Sequence, residues 1–252
     1  MINLTPAMYR HSDFIPASDG SQVDIWQLDL SAHTEKWTPY AGQLLSEEDK
    51  HKINRLIQPQ HRSRALAMRV QLRLLLSSYL NVTADAIHFK TGSFGKPYVH
   101  QATITFNASH SEDMALVAIG PSPHIGVDIE FWRPIDDMSR LVERHFTNTE
   151  KIFWHTLDAG QREAVFFDLW SSKEAFIKAT GRGLGMGLAR CGFSLPKTNQ
   201  LLECPSEFGQ PSDWSCQPLN LGERVSAVVI VKADQCRVRL YQFEAEFSPS
   251  QG

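Results

Sequence analysis

Gly126-Val127-Asp128-Ile129-Glu130 is the stretch whose reading decides the fold. Apolar residues alternate with acids, which is the period of a strand with two unlike faces. Asp128 and Glu130 then share one face while Val127 and Ile129 point into a core. Two carboxylates side by side repel unless a proton or a cation lies between them. Oxygen ligands suit a hard divalent cation such as magnesium. The plain alternative is a pair of solvated acids on a half-buried sheet face.

Working outward, Gly120-Pro121-Ser122-Pro123 is the best linker in the chain. It suggests an N-terminal subdomain over residues 1–123 and a C-terminal one over 124–252. Upstream of it, residues 103–107 and 114–119 read as strands, with Asn107-Ala108-Ser109-His110-Ser111 as a polar corner between them. Residues 91–99 read as a loop, holding Lys96 between Gly95 and Pro97. Further back, Ser46 followed by Glu47, Glu48 and Asp49 is a helix start, with a hydroxyl cap and acids facing the positive end of the helix dipole. That helix stops before Pro59, and residues 60–80 form a second, with Leu66, Val70 and Leu74 four apart. Its other face carries Arg62, Arg64, Arg69 and Arg73, which reads as a solvated basic face. Residues 23–30 alternate as a strand.

Downstream, helices are expected over 138–146, 149–157 and 161–180, and strands over 192–195, 224–231 and 236–243. Gly181, Gly183, Gly185 and Gly187 terminate the long helix. Lys173 falls in the middle of that helix's apolar stripe, between Leu169, Trp170, Phe176 and Ile177. A lysine there must snorkel or find an anion, because an unpaired buried charge costs several kcal/mol. Glu174 and Lys178 stand four apart at the edge of the stripe. As a bare i,i+4 pair they would contribute only about 0.2–0.5 kcal/mol. A third carboxylate beside two lysines is, however, what a site for a metal-bound phosphate requires: acids for the cation, lysines for the phosphate oxygens.

The 252 residues are 42% hydrophobic and 21% charged, with a formal charge of −3, as in an ordinary globular protein. No global basic character points to nucleic acid or an anionic membrane, so any anion site is local. Cys191, Cys204, Cys216 and Cys236 form no C-x-x-C pair, and neither zinc nor a disulfide framework is expected. The first ten residues contain no apolar signal segment, and the run Ala227 to Val231 is far too short to span a bilayer. The expected location is the cytoplasm.

Four blocks of this sequence, in order, resemble the 4'-phosphopantetheinyl transferases of the Sfp type. They are Gly95-Lys96-Pro97; Phe106-Asn107-Ala108-Ser109-His110-Ser111; Gly126-Val127-Asp128-Ile129-Glu130; and Trp170-Ser171-Ser172-Lys173-Glu174-Ala175-Phe176-Ile177-Lys178, continuing into Gly181-Arg182-Gly183-Leu184. The resemblance implies an α+β fold of two similar α+β subdomains related by a pseudo-two-fold axis, with the active site in the cleft between them, in a monomer. It implies transfer of the phosphopantetheine arm of coenzyme A to a serine hydroxyl of an acyl or peptidyl carrier protein, with release of adenosine 3',5'-bisphosphate. Asp128, Glu130 and Glu174 match the family's magnesium site, and Glu174 the base for the carrier serine. Lys178 matches the lysine on the phosphate, Ser109 and His110 the corner touching coenzyme A phosphates, and Lys96 a basic residue near the nucleotide. Lys173 is expected beside the phosphates as well. Lys52 falls where the family places a cation for the 3'-phosphate, with Arg64 and then Arg69 as further candidates. Asp49 and Ala65 stand where some members have a lysine and a threonine.

Carrier domains of the kind the family implies are small and acidic, so a local basic and apolar patch is expected on this negatively charged chain. Two other readings use the same residues. One is a magnesium-dependent phosphohydrolase or nucleotidyl transferase, with water as the acceptor and no need for a carrier protein. The other is a coenzyme A-binding module without catalysis, against which the complete set of Asp128, Glu130, Glu174 and Lys178 argues, because binding alone needs no positioned base.

Overall fold

The computed structural model describes residues 5–6, 22–31 and 34–244. Apart from β1 (Thr5–Pro6), the first ten residues, in which no signal segment was read, lie outside the described residues. Along β2 (Gln22–Asp29) the period-two pattern sends Val23 and Ile25 into one core and Trp26 and Leu28 into another. Helices α1 (Thr34–Leu44), α2 (Glu47–Asn54) and α3 (Pro59–Leu80) follow. Ser46 caps α2, its hydroxyl accepting the Asp49 N–H at 3.1 Å. Next come the hairpin β3 (Phe89–Thr91) and β4 (Pro97–Val99), then β5 (Thr105–Ser111), β6 (Met114–Gly120) and β7 (Ile125–Phe131). The second half supplies α4 (Met138–His145), α5 (Asn148–Thr156) and α6 (Ala159–Thr180). It ends with β8 (Gly192–Phe193), β9 (Leu201–Glu203), β10 (Trp214–Pro218), β11 (Val225–Lys232) and β12 (Arg237–Gln242).

Two sheets organise these elements, one ordered β1-β12-β2-β6-β5 and the other β10-β11-β7. Each uses both faces. The outer face of the first packs on α1, α2 and α3, and that of the second on α6. The inner faces meet at a seam of twelve buried apolar residues, among them Ile25, Leu116, Val127, Ile129 and Val229. A fully buried aliphatic side chain contributes about 1.5–3 kcal/mol, so this seam is a core in its own right. The result is an α+β protein of two lobes, layered helix, sheet, sheet, helix.

Several expectations change. The polar corner at residues 107–111 is strand: β5 runs through it to Ser111. Its buried side chains, Asn107, Ser109 and Ser111, alternate onto one face and meet the edge of β7. Asn107 Oδ1 accepts the Val127 N–H at 2.8 Å and Ser111 Oγ accepts the Phe131 N–H at 3.1 Å. Polar side chains thus satisfy backbone donors of β7 where a ladder would otherwise stand. The loop at residues 91–99 contains most of the β3–β4 hairpin, and α1 and β10 are elements that the sequence reading lacked. The basic face of α3 is only partly solvated: Arg73 is 2% exposed, holding Asp49 through two bonds of 3.0 and 2.6 Å. Finally, β12 crosses back. It belongs by sequence to residues 124–252, yet it pairs in parallel with β2 of the N-terminal lobe.

Candidate active site

Gly126 sets the position of the site. A Cβ there would overlap the backbone of α6 at Ala175 O and Ala179 N, so the bare glycine lets the helix rest directly on β7. One turn of α6 then lies along the acid face of the strand, which brings Glu174 and Lys178 to Asp128 and Glu130. The helix stops at Gly181, whose φ of 71° suits glycine and returns its N–H to Ile177 O.

Asp128 is 3% exposed. Its Oδ1 accepts from Lys178 Nζ at 2.6 Å and from Ser109 Oγ at 2.8 Å, and the same ammonium donates to Ser109 Oγ at 2.8 Å. Its Oδ2 is buried with no hydrogen-bond partner, a costly state for a carboxylate oxygen. Glu130 accepts from Arg133 at 2.8 Å. Glu174 forms no ion pair among the described residues. Burial first, and then the negative charges of Asp128 and Glu130, raise its pKa, with Lys178 pulling the other way. The three acids therefore share one electrostatic environment. Among the described residues, no group of three or more His, Cys, Asp or Glu side chains stands close enough together to hold a metal ion; the cation at Asp128 is the Lys178 ammonium. The oxygen donors and the orphaned Asp128 Oδ2 fit a hard divalent cation.

Two cavities flank the cluster. The larger, about 730 Å³, reaches from Lys52, Ile53 and Leu56 past Arg64, Arg69 and His110 to Glu130 and Arg133. The smaller, about 270 Å³, is bounded by Phe94, Lys96, Glu174 and Lys178. Successive residues of β5 serve different surroundings: Ser109 touches Asp128, while His110 lines the larger cleft. Burial, then the charges of Lys178, Arg64 and His61, lower the His110 pKa. Lys96 donates to Ile125 O at 2.8 Å and Ala179 O at 3.4 Å, and burial pushes its pKa down to about 8.

Not every expected residue reaches the cavities. Lys173 does not: its ammonium is wholly buried on the far side of α6, 2.7 Å from Glu150 and bonded to the carbonyls of Leu188 and Cys191. It is a structural ion pair that lines neither cavity, so Lys173 does not meet the phosphates as the sequence suggests. Lys52 lines the larger cleft and pairs with Glu48 at 2.6 Å. Arg64 lines it with its guanidinium committed to Asp113 at 2.8 Å and Glu112 at 3.2 Å. Arg69 shares Asp49 with Arg73, so two guanidiniums meet one carboxylate and one positive charge is left over at the cleft wall. Arg133, on Glu130, is a site neighbour that sequence reasoning missed; its spacing of three from an acid was the available signal.

A seam of two α+β lobes with an acid and lysine cluster between two cavities suits phosphoryl-group chemistry. The family model described as "4'-phosphopantetheinyl transferase, N-terminal" matches residues 31–122, and that of the 4'-phosphopantetheinyl transferase superfamily matches residues 124–230. The chain belongs to this superfamily and is a 4'-phosphopantetheinyl transferase. It is 35% identical over 214 residues to the 4'-phosphopantetheinyl transferase HetI of Nostoc sp., covering 83% of this chain and 87% of that one. It is 39% identical over 127 residues to psf-1 of Bacillus pumilus, covering 50% and 53%. It is also 27% identical over 234 residues to the L-aminoadipate-semialdehyde dehydrogenase-phosphopantetheinyl transferase of Rattus norvegicus, covering 82% and 74%.

Proposed function

We propose that the chain transfers the 4'-phosphopantetheine arm of coenzyme A to a serine hydroxyl of an apo acyl or peptidyl carrier protein. The observation that carries this reading is Glu174, a half-buried carboxyl with a raised pKa beside Asp128 and Lys178. A serine hydroxyl is a weak nucleophile at neutral pH and needs a base within reach. Glu174 accepts the hydroxyl proton as the serine oxygen bonds to the phosphorus that bears the pantetheine. The anhydride P–O bond breaks, and its electron pair leaves with adenosine 3',5'-bisphosphate. Lys178, already at the seam, exchanges Asp128 for a phosphate oxygen and stabilises the developing charge. Lys96, Ser109 and His110 orient the remaining phosphates, and Lys52, Arg64 and Arg69 offer positive charge along the larger cleft.

Asp128, Glu130 and Glu174 would hold magnesium, which when bound neutralises pyrophosphate charge. Asp128 Oδ2 is the donor with no other partner. We place the enzyme in the cytoplasm as a monomer; among the described residues no helix is long and apolar enough to cross a membrane. The test is direct. The protein is incubated with coenzyme A, magnesium and an apo carrier protein, and the carrier is weighed by mass spectrometry. A gain of one phosphopantetheine is expected. Coenzyme A breakdown with no gain would favour the hydrolase reading instead.

A further inference from the structure

A third cavity, of about 300 Å³, lies in the C-terminal lobe and shares no lining residue with the two that flank the acids. It forms where β10 stops at Pro218, opposite Val228, while β11 extends past it to Val225. The space beyond the end of β10 is bounded by Ser226 of β11, by Asp168, Ser171 and Ser172 of α6, and by the loop at residues 196–199 between β8 and β9. Its volume is at the lower end of the range for ligand pockets, which is about 300–1,000 Å³.

Hydrogen bonds already made divide this cavity into two unlike walls. On the α6 and β11 side the hydroxyl protons are spent. Ser172 Oγ donates to Asp168 O at 2.7 Å, Ser171 Oγ to Ser226 O at 3.4 Å, and Ser226 Oγ to Asp168 Oδ1 at 2.5 Å. These groups can still offer only lone pairs. Asp168 has no ion pair among the described residues, and burial raises its pKa, as expected for an acid drawn out of water without a cation. The loop wall is the reverse. Thr198 is 6% exposed, and its hydroxyl has no hydrogen-bond partner among the described residues, an uncommon state for a buried polar group. Asn199 Oδ1 accepts from Ser194 Oγ at 3.2 Å, which leaves the amide NH2 as the free end of that side chain. The exposed Lys197 ammonium has no ion pair among the described residues.

We propose that this cavity binds a small zwitterion of the amino-acid class, with its ammonium on Asp168 and the serine hydroxyl oxygens and its carboxylate on Thr198, Asn199 and Lys197. An acceptor wall and a donor wall in one cavity complement a molecule with a charged donor at one end and a charged acceptor at the other. A lone cation would leave the Thr198 hydroxyl and the Lys197 ammonium without an acceptor. A lone anion would leave the Asp168 carboxyl buried and unpaired. The site is separate from the transfer reaction and stands whether or not that reading holds.

The experiment titrates the full chain with glycine, β-alanine, L-alanine and L-serine, with ethylammonium and propionate as single-charge controls. Binding is read by calorimetry and by saturation-transfer NMR. At least one of the amino acids should bind saturably at millimolar concentration, and both controls at least tenfold more weakly. Asp168→Asn and Thr198→Val keep the side-chain shape, and each should weaken that binding by about tenfold or more, as when one partner of a charge-assisted hydrogen bond is removed. Thermal melts establish that the variants are folded. Folded variants that bind as wild type does, or a single-charge control that binds as well as the amino acid, would overturn the assignment. A wild-type chain that binds none of these amino acids would overturn it too, leaving a cavity that holds water alone.

Discussion

Glu174 and Lys173 are neighbours with opposite fates. Both were legible as charges on an apolar helix, but only three dimensions separate them. Glu174 faces β7 and its acids, whereas Lys173 points to Glu150, whose carboxylate also closes the capping box of α5 by accepting the Thr147 N–H. Glu150 is already accounted for as the cap of α5, so nothing in the local sequence marks it as the partner of Lys173. At Glu174 the raised pKa has two consequences. Without magnesium the carboxyl ionises only as pH rises through that elevated value, and a cation bound among the three acids should draw the value down again. Glu174→Gln should lower the transfer rate by about 10²–10⁴-fold. In metal-free buffer the same variant should melt at a higher temperature than wild type at pH 7.5. A carboxyl whose folded pKa is raised destabilises the fold when ionised, and that penalty disappears below the unfolded value of about 4.3. Scanning calorimetry at pH 7.5 and pH 4 should show the gain at the first pH and little at the second.

The elements around the site were unequally visible. The long helix and the acid strand were legible because their periods are clean. Strand β5 was not, because Asn, Ser and His carry little strand propensity. Their polarity has its reason in the β7 backbone, 20 residues away, which no local window includes. Gly126 was legible as part of a motif but not as a spacer. Its consequence is testable: Gly126→Ala must displace α6 from β7. Overpacking of this kind costs about 1–3 kcal/mol. Moving Glu174 and Lys178 by only 1 Å costs on the order of 100-fold in rate. Urea denaturation and the carrier assay should both report the change, and a variant with wild-type activity would show that the helix tolerates the shift.

For the whole molecule, residues 121–124 are the short connection from β6 to β7, and the return of β12 to the first lobe was not readable, since parallel pairing across most of the chain leaves no local trace. The strand is well tied. Arg239 donates to Asp24 at 3.0 Å, Tyr241 stacks on Trp26 at 4.7 Å between centroids, and Leu240 is buried in the seam. Leu240→Ala should therefore cost about 2–5 kcal/mol, read as a shift in one cooperative urea transition rather than the loss of one lobe alone. A chain closed in this way cannot complete its first sheet until β12 has been made. β2 must wait for it, with Trp26 lacking its stacking partner Tyr241. The nascent N-terminal half should thus be a dependent fragment, and two pieces cut between β6 and β7 are expected not to fold unaided.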